Sequence, residues 1–336
     1  MTQQHILVSG GAGYIGSHTC YSLRQAGFTP VVLDDLSAGH EWAAAFGPLR
    51  VGKIDDVSLV RAICTEFKPV ALLHFAAFIE VGESVKFPDK FFMNNTEHAE
   101  VLFATAKDCG IDKVVFSSTA AVYGMVGSAP LTEDLPLAPI NPYGESKLRA
   151  EQGLRAIDGI NSVTLRYFNA AGAAPANVGI GEAHWPESHL VPNVIRAALG
   201  QRPAVTVFGT DYPTRDGTAM RDYVHVLDLA AAHVAALNYL LAGNTTTICN
   251  LGSGNGATVK EVIDAVGAFV GHPVPVEYGA RREGDPAMLV ADATRARKLL
   301  NWQPRLSLAD IVTSAAVWHQ TERYAAAIAA RQAAEA

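Results

Sequence analysis

The segment Leu7-Val8-Ser9-Gly10-Gly11-Ala12-Gly13-Tyr14-Ile15-Gly16 constrains this chain more than any other. It places Gly10, Gly13 and Gly16 at G-x-x-G-x-x-G spacing, between an apolar run, Ile6 to Val8, and a helically periodic stretch, Ser17 to Gln25. Without Cβ atoms the backbone turns tightly and comes close to a bound group. The unpaired N–H groups of the following helix and the positive end of its dipole favour an anion there. The second apolar run, Pro30 to Leu33, ends at Asp34, 18 residues beyond Gly16. An acid at that place accepts two hydroxyls of an adenosine ribose and repels a 2′-phosphate, so the expected cofactor is NAD rather than NADP. The alternative is that these are ordinary turn glycines and that Asp34 caps a loop. Asp35 is a surface residue or an adenine-side contact, with no role assigned in preference to Asp34.

Further short apolar runs follow at Val70 to Phe75, Val114 to Phe116 and Val163 to Tyr167. Helical periodicity fills the gaps, at Leu59 to Phe67, Asn95 to Cys109 and Gly144 to Ile157. Strands that alternate with crossover helices predict an α/β fold with a doubly wound parallel Rossmann sheet. After Gly172 the chain becomes rich in Gly and Pro, then offers a long helix at Val226 to Leu241, a strand at Thr247 to Leu251 and a helix at Val259 to Val270. This predicts a smaller, discontinuous α/β substrate domain. The expected division is 1–175 for the NAD-binding domain, with a segment near 224–250 returning to it, and 176–223 plus 251–336 for the substrate domain.

A length of 336 residues, 49% of them hydrophobic, is ample for a core. The net charge of −7 with no basic run speaks against nucleic acid or an anionic membrane as partner. Apolar runs stay well short of the roughly 18 residues of a membrane span. The N-terminus lacks a basic stretch before its apolar run, so a cytoplasmic location is expected. Cys20, Cys64, Cys109 and Cys249 lie far apart with no C-x-x-C pair, and no histidines cluster at ligand spacing. Buried free thiols are expected, with no metal site.

Tyr143 and Lys147 stand four residues apart, on one face of a helix that begins near Pro142. Ser117-Ser118-Thr119 directly follow a strand, on the sheet edge where open α/β folds bind ligands. A phenol of pKa near 10 is a poor base at neutral pH, and lowering it three units takes about 4 kcal/mol of preferential phenolate stabilisation. The Lys147 ammonium and an oxidised nicotinamide ring supply positive charge for that. The Thr119 hydroxyl holds the same substrate oxygen. Together they form a site that takes a proton from a carbinol while its hydride leaves. The bland alternative is an i,i+4 packing pair.

With these residues in view, the chain resembles the extended short-chain dehydrogenase/reductase family, and within it the NAD-dependent UDP-hexose 4-epimerases. The likeness runs from the GGAGYIGSH start through HFAAFIEVGESV (74–85), NPYGESK (141–147), LRYFNAAGA (165–173), MRDYVHVLDLA (220–230) and RREGDPA (281–287). It implies that Gly10, Gly13, Tyr14, Ile15, Asp34, Ser37, Phe75, Ala76, Asn94 and Lys147 hold NAD. It also implies that Asn169, Leu190, Val205, Phe208, Arg221, Arg282, Asp285 and Leu289 hold a UDP-hexose, with Thr119, Tyr143 and Lys147 catalytic. Planar guanidinium donors suit a diphosphate, and Asp285 suits ribose hydroxyls; a surface ion pair is the competing reading for each. Asp222 and Tyr223 read as packing and local support, and His74 as a satisfied core histidine.

The activity so implied is interconversion of UDP-glucose and UDP-galactose. C4 is oxidised, the 4-keto sugar turns about its diphosphate linkage, and reduction from the other face follows. A homodimer through the 95–109 and 144–157 helices is implied as well. Four positions depart from the family pattern. Lys53 stands where relatives carry an acid beside the adenine, Ile79 where some carry a lysine, and His189 where some carry an asparagine. Leu289 replaces a tyrosine that walls the hexose pocket, which makes room for UDP-GlcNAc and UDP-GalNAc. A UDP-pentose or UDP-uronate 4-epimerase shares the same motifs. A 4,6-dehydratase needs an acid pair after the threonine, where this chain has Ala120-Ala121. A non-catalytic NAD sensor needs the glycine turn and Asp34 but has no use for Thr119, Tyr143 and Lys147 together.

Overall fold

The computed structural model describes residues 4–125, 130–282 and 285–335. Seven parallel strands form the main sheet, in the spatial order Thr247–Leu251, Asn161–Tyr167, Lys113–Thr119, Ala71–His74, His5–Ser9, Thr29–Asp34 and Leu49–Val51. All five expected strands of the first half form, as does Thr247–Leu251. Period-2 alternation sends Leu7, Leu33, Leu72, Val114 and Phe116 to one face, where they pack with the helices Val57–Phe67, Ala99–Asp108 and Pro142–Ala156. Ile6, Val8, Val32, Leu73, Val115 and Leu165 face the other way, onto the helices Tyr14–Gln25, Val226–Leu241 and Thr294–Leu300. Two covered faces explain why these strands are continuous apolar runs rather than alternating ones.

The chain moves from the His5–Ser9 strand outward to Thr29–Asp34 and Leu49–Val51, then crosses to Ala71–His74 on the opposite side of the first strand. The crevice at this reversal of direction is where ligands of such sheets bind. The expected 95–109 helix is entered through a π-helical stretch, Met93–His98. There Asn95 turns inward: its carboxamide exchanges bonds with Phe78 N and O, both at 2.9 Å, and donates to Ser146 Oγ at 3.2 Å. The unusual turn thereby ties the 75–80 segment to the 142–156 helix.

A second core gathers the helices Leu190–Ala198, Val259–Val270 and Leu308–His319 around Val205, Tyr223 and Ala257. Short pairs complete it: Val205–Phe208 with Val276–Gly279, and Met220–Arg221 between Ala257–Thr258 and Met288–Leu289. The four cysteines are free thiols. Among the described residues no helix is long and apolar enough to cross a membrane.

Candidate active site

Gly10 lies at φ +74°, and a Cβ there would sit 2.4 Å from Ala76 N. A Cβ on Gly16 would sit 2.1 Å from Gly10 O. These two positions are glycine because the turn is pressed between its own helix and the start of the 75–80 segment. The helix Tyr14–Gln25 begins at Gly13 with no side chain capping it, so its first N–H groups stay open to an anion. Asp34 accepts from Ala12 N and Leu36 N, each at 2.9 Å. It therefore caps the loop and faces the turn at once, and a carboxylate with about four acceptor sites still has some to offer a ribose diol. Burial raises its pKa while those amides draw it back. The cradle fits a dinucleotide diphosphate flanked by a ribose.

The other expected cofactor residues surround this cradle in different ways. Ile15 packs on the core. The Tyr14 hydroxyl is already donated to Gly172 O at 2.6 Å, which leaves its backbone N–H for the ligand. Ser37 is held by Asp35, which accepts from its N–H at 2.9 Å and its hydroxyl at 2.6 Å; Asp35 thus has a supporting role that the sequence did not disclose. The Phe75 ring lies 4.6 Å from that of His233, tilted against it, Ala76 lines the glycine turn, and Asn94 donates to Asn95 Oδ1 at 3.0 Å. His74 is only half satisfied: Nδ1 meets Ser9 Oγ at 2.7 Å, but Nε2 has no hydrogen-bond partner among the described residues, so the expectation of a fully paired core histidine is corrected.

Thr119 ends the Lys113–Thr119 strand, and Tyr143 is the second residue of the Pro142–Ala156 helix. Asn141 caps that helix by accepting from Gly144 N at 2.8 Å, and Pro142 occupies its first position. A Cβ on Gly144 would fall 2.6 Å from Ala121 O, so glycine lets the helix start lie against the residues after Thr119. The Thr119 hydroxyl accepts from Ala121 N at 3.1 Å and stands beside the Tyr143 phenol. Desolvation pushes that half-buried phenol up, the Thr119 hydroxyl works against the shift, and the Glu80 charge adds to it. One turn on, Lys147 is buried with its ammonium 4.6 Å above the Phe116 ring. Burial lowers its pKa to about 7 against the pull of Glu151.

Behind this pair lies a network with no signal in the linear pattern. Glu151, fully buried, accepts from Arg166 Nε at 2.9 Å and Nη2 at 2.6 Å, and also from the Ser118 hydroxyl. Arg166 in turn donates to the Tyr123 hydroxyl at 3.1 Å, which donates to Asn250 Oδ1 at 2.7 Å. Glu151 lies one turn beyond Lys147, so the strand carrying Thr119 and the helix carrying Tyr143 are locked together from behind.

On the far side, Arg282 lies 4.0 Å over the Phe208 ring. Arg221 is ion-paired with Asp285 and donates to Met220 O at 2.7 Å. Leu289, paired in register with Arg221, packs beside Ala120, Val122 and Tyr123. Asn169 donates its side-chain amide to Asp222 O at 3.0 Å, and Leu190 opens the helix after His189. Asp222 gathers Ser253 N, Gly254 N and Ala291 N, the local support expected of it. Val205 has its side chain buried in the second core and its N–H taken by Pro275 O at 3.0 Å. Thr206, half-buried, shares the face of Phe208 by the period-2 alternation of V-T-V-F.

The structure also brings Glu182, His184 and His189 within 4.8 Å of one another, a grouping that linear spacing hid. His184 is paired with Glu182 and His189 with Glu187. Burial would push His184 down, but the Glu182 carboxylate outweighs it and raises the pKa to about 9. His184 lines a crevice with Ala12, Gly13, Tyr14 and His40, alongside the glycine turn.

This geometry is that of a dinucleotide-dependent enzyme acting on a hydroxyl, and comparison with known proteins agrees. Residues 6–252 match the NAD dependent epimerase/dehydratase family, and the chain belongs to that family. A relative in Rhizobium meliloti (strain 1021), named UDP-glucose 4-epimerase, is 51% identical over 322 residues, 95% of this chain and 98% of its own. The solved structure of UDP-glucose 4-epimerase from Brucella ovis in complex with NAD matches with TM-score 0.91 and 41% identity, covering 94% of this chain and 98% of its own. That of the Bifidobacterium longum enzyme in complex with NAD+ and UDP matches with TM-score 0.89 and 36% identity, covering 96% and 99%.

Proposed function

We propose that this protein interconverts UDP-glucose and UDP-galactose by inverting C4, with NAD as its cofactor. The observation that carries this is the Thr119 hydroxyl beside the Tyr143 phenol, whose pKa it draws down, with Lys147 one turn away, at the sheet edge that also holds the glycine turn. A sensor has no use for that arrangement, and the relatives' names favour a hexose over a pentose or uronate.

NAD, when bound, supplies a hydride acceptor and donor, so that the sugar's C4 passes through a ketone and back. Tyr143 takes the proton of the 4-hydroxyl and, by microscopic reversibility, returns it to the inverted centre. Because desolvation opposes phenolate formation, positive charge must be held close, and Lys147, buried one turn further along the same helix, is placed to supply it in its protonated form. Thr119 offers its hydroxyl to the same substrate oxygen and holds it in place. Asp34 and the glycine turn hold the cofactor, with Ile15, Ser37, Phe75, Ala76 and Asn94 around them.

Arg282, Arg221, Asn169, Leu190 and the Thr206–Phe208 face hold the UDP portion. An incoming diphosphate competes with Asp285 for Arg221, which frees that carboxylate for the uridine ribose. The sugar itself lies against Leu289, an apolar wall that makes no directional bond and lets the ketone turn over. The same wall leaves space for an N-acetyl group, so UDP-GlcNAc and UDP-GalNAc belong to the substrate range.

The assembly proposed is a homodimer. Val85, Phe87, Met93 and Val101 are exposed apolar residues on and beside the helices that would pair. A reducing, cytoplasmic setting suits the four free thiols. Purified protein given UDP-galactose, with no added nucleotide, should form UDP-glucose until the two reach a fixed ratio. Retention of UDP-galactose unchanged by NAD-loaded protein would refute this reading.

A further inference from the structure

We infer that the helix Glu322–Glu335 straps down the loop over the adenosine ribose, and that Arg331 is the positioning residue through which it retains the cofactor. The inference rests on the dinucleotide reading of the glycine turn and goes beyond it.

Arg331 donates from Nη1 to Ser37 O at 2.8 Å and from Nη2 to Gly39 O at 2.7 Å. Those carbonyls belong to the loop that follows Asp34. The loop is folded back on the phosphate turn: His40 N donates to Ala12 O at 2.9 Å, and a Cβ on Gly39 would lie 2.8 Å from Asp34 Oδ1 and 3.0 Å from Ala12 C. It also contains Leu36 at φ +60°, a left-handed conformation that a branched side chain keeps only when its surroundings enforce it. From inside, enforcement comes from Asp34 accepting Leu36 N and from Asp35 accepting Ser37. From outside it comes from Arg331.

The helix is in turn anchored at its other end. Tyr324 and Ala327 are buried with Trp318, Ala173 and Ala183, and Trp42 joins the same cluster from the segment just beyond the loop. Arg323 donates to Gly179 O at 2.8 Å and sits 5.6 Å from the Trp42 ring. The strap therefore runs from the 173–183 segment, across Trp42, to the two carbonyls of the ribose loop. The Arg331 charge also acts on Asp34, opposing the upward push of burial on that carboxyl. Loss of the clamp leaves the chemical groups in place and loosens the loop that closes over the nucleotide. Its signature is faster cofactor escape rather than slower chemistry.

The experiment uses the full chain, as isolated, in three forms: unaltered, Arg331→Ala and Arg331→Lys. Bound nucleotide is released by acid and counted against protein, and escape of NAD is timed after dilution into a trap that consumes free NAD. The unaltered chain is expected to hold NAD, and Arg331→Ala to lose it at least about tenfold faster, as the loss of two charge-assisted bonds implies. Arg331→Lys, which keeps the charge but not the fork, should fall between. The NAD needed for half-maximal activity should rise in step while kcat at saturating NAD holds. Escape rates within twofold of the unaltered chain would overturn the strap while leaving the cofactor reading intact. An unaltered chain that neither carries nor takes up NAD would overturn both. Should Arg331→Ala not fold, an unchanged escape rate in Arg331→Lys overturns the strap by itself.

Discussion

Replacing Glu151 with Gln tests whether the buried network behind Tyr143 and Lys147 is as consequential as its geometry implies. Glu151 is wholly inaccessible and accepts three bonds, two of them from an equally buried Arg166. The amide keeps the shape but leaves the guanidinium without a counter-charge, a change that costs about 3–5 kcal/mol for a buried pair. For 336 residues, an unfolding entropy of about 2.1 cal/mol/K per residue gives about 0.7 kcal/mol/K for the chain. The expected fall in Tm is then about 4–7 °C. Because Glu151 is also what pulls the Lys147 pKa upward from below, its loss lowers that pKa from about 7. The charged form of Lys147 then disappears at lower pH, and the alkaline fall of turnover moves in the same direction. Differential scanning calorimetry and a pH–rate profile read the two effects. A Tm within 1 °C or so of the unaltered chain, with an unmoved profile, would refute the reasoning that a buried pair of this kind is costly to break.

Tyr143→Phe should fold normally and retain NAD while turnover of UDP-galactose falls at least about a hundredfold, the scale of a lost general base, checked by chromatography of the nucleotide sugars. The His184 pair makes stability pH-dependent. With a folded pKa of about 9, above the unfolded value, its contribution is complete below about pH 6.5 and is lost as pH rises through 9. The Tm difference between the unaltered chain and His184→Gln should therefore shrink over that window, and thermal scans at pH 6 and pH 9.5 decide it. Leu289→Tyr should abolish turnover of UDP-GalNAc and leave UDP-galactose turnover within a few fold, measured side by side.

The parts of this architecture that were legible from the sequence are those governed by short-range rules. Strand runs, the glycine turn and Asp34 follow from local chain geometry, as does the Tyr143 and Lys147 spacing on a capped helix. What stayed hidden depends on contacts across the fold. Glu151 and Arg166 look like ordinary surface charges until the helix and strand are packed, and Arg331 lies 294 positions from the carbonyl of Ser37 that it holds. His184 and Glu182 are close in sequence, but only burial turns them into a charged pair beside the cofactor cradle. Val205 and Thr206 differ by one position on their strand, and alternation sends their side chains to opposite faces, so only the folded strand shows which of the two shares the face of Phe208.

In the proposed mechanism the hydrogen on C4 leaves and returns without meeting water, while only the hydroxyl proton passes through Tyr143. Running the reaction on UDP-galactose in D2O to its final ratio, and reading the product by mass spectrometry and proton NMR, distinguishes the two paths. UDP-glucose that still carries protium at C4 is expected. Deuterium at C4 would contradict it, since that atom would then have been exchanged as a proton.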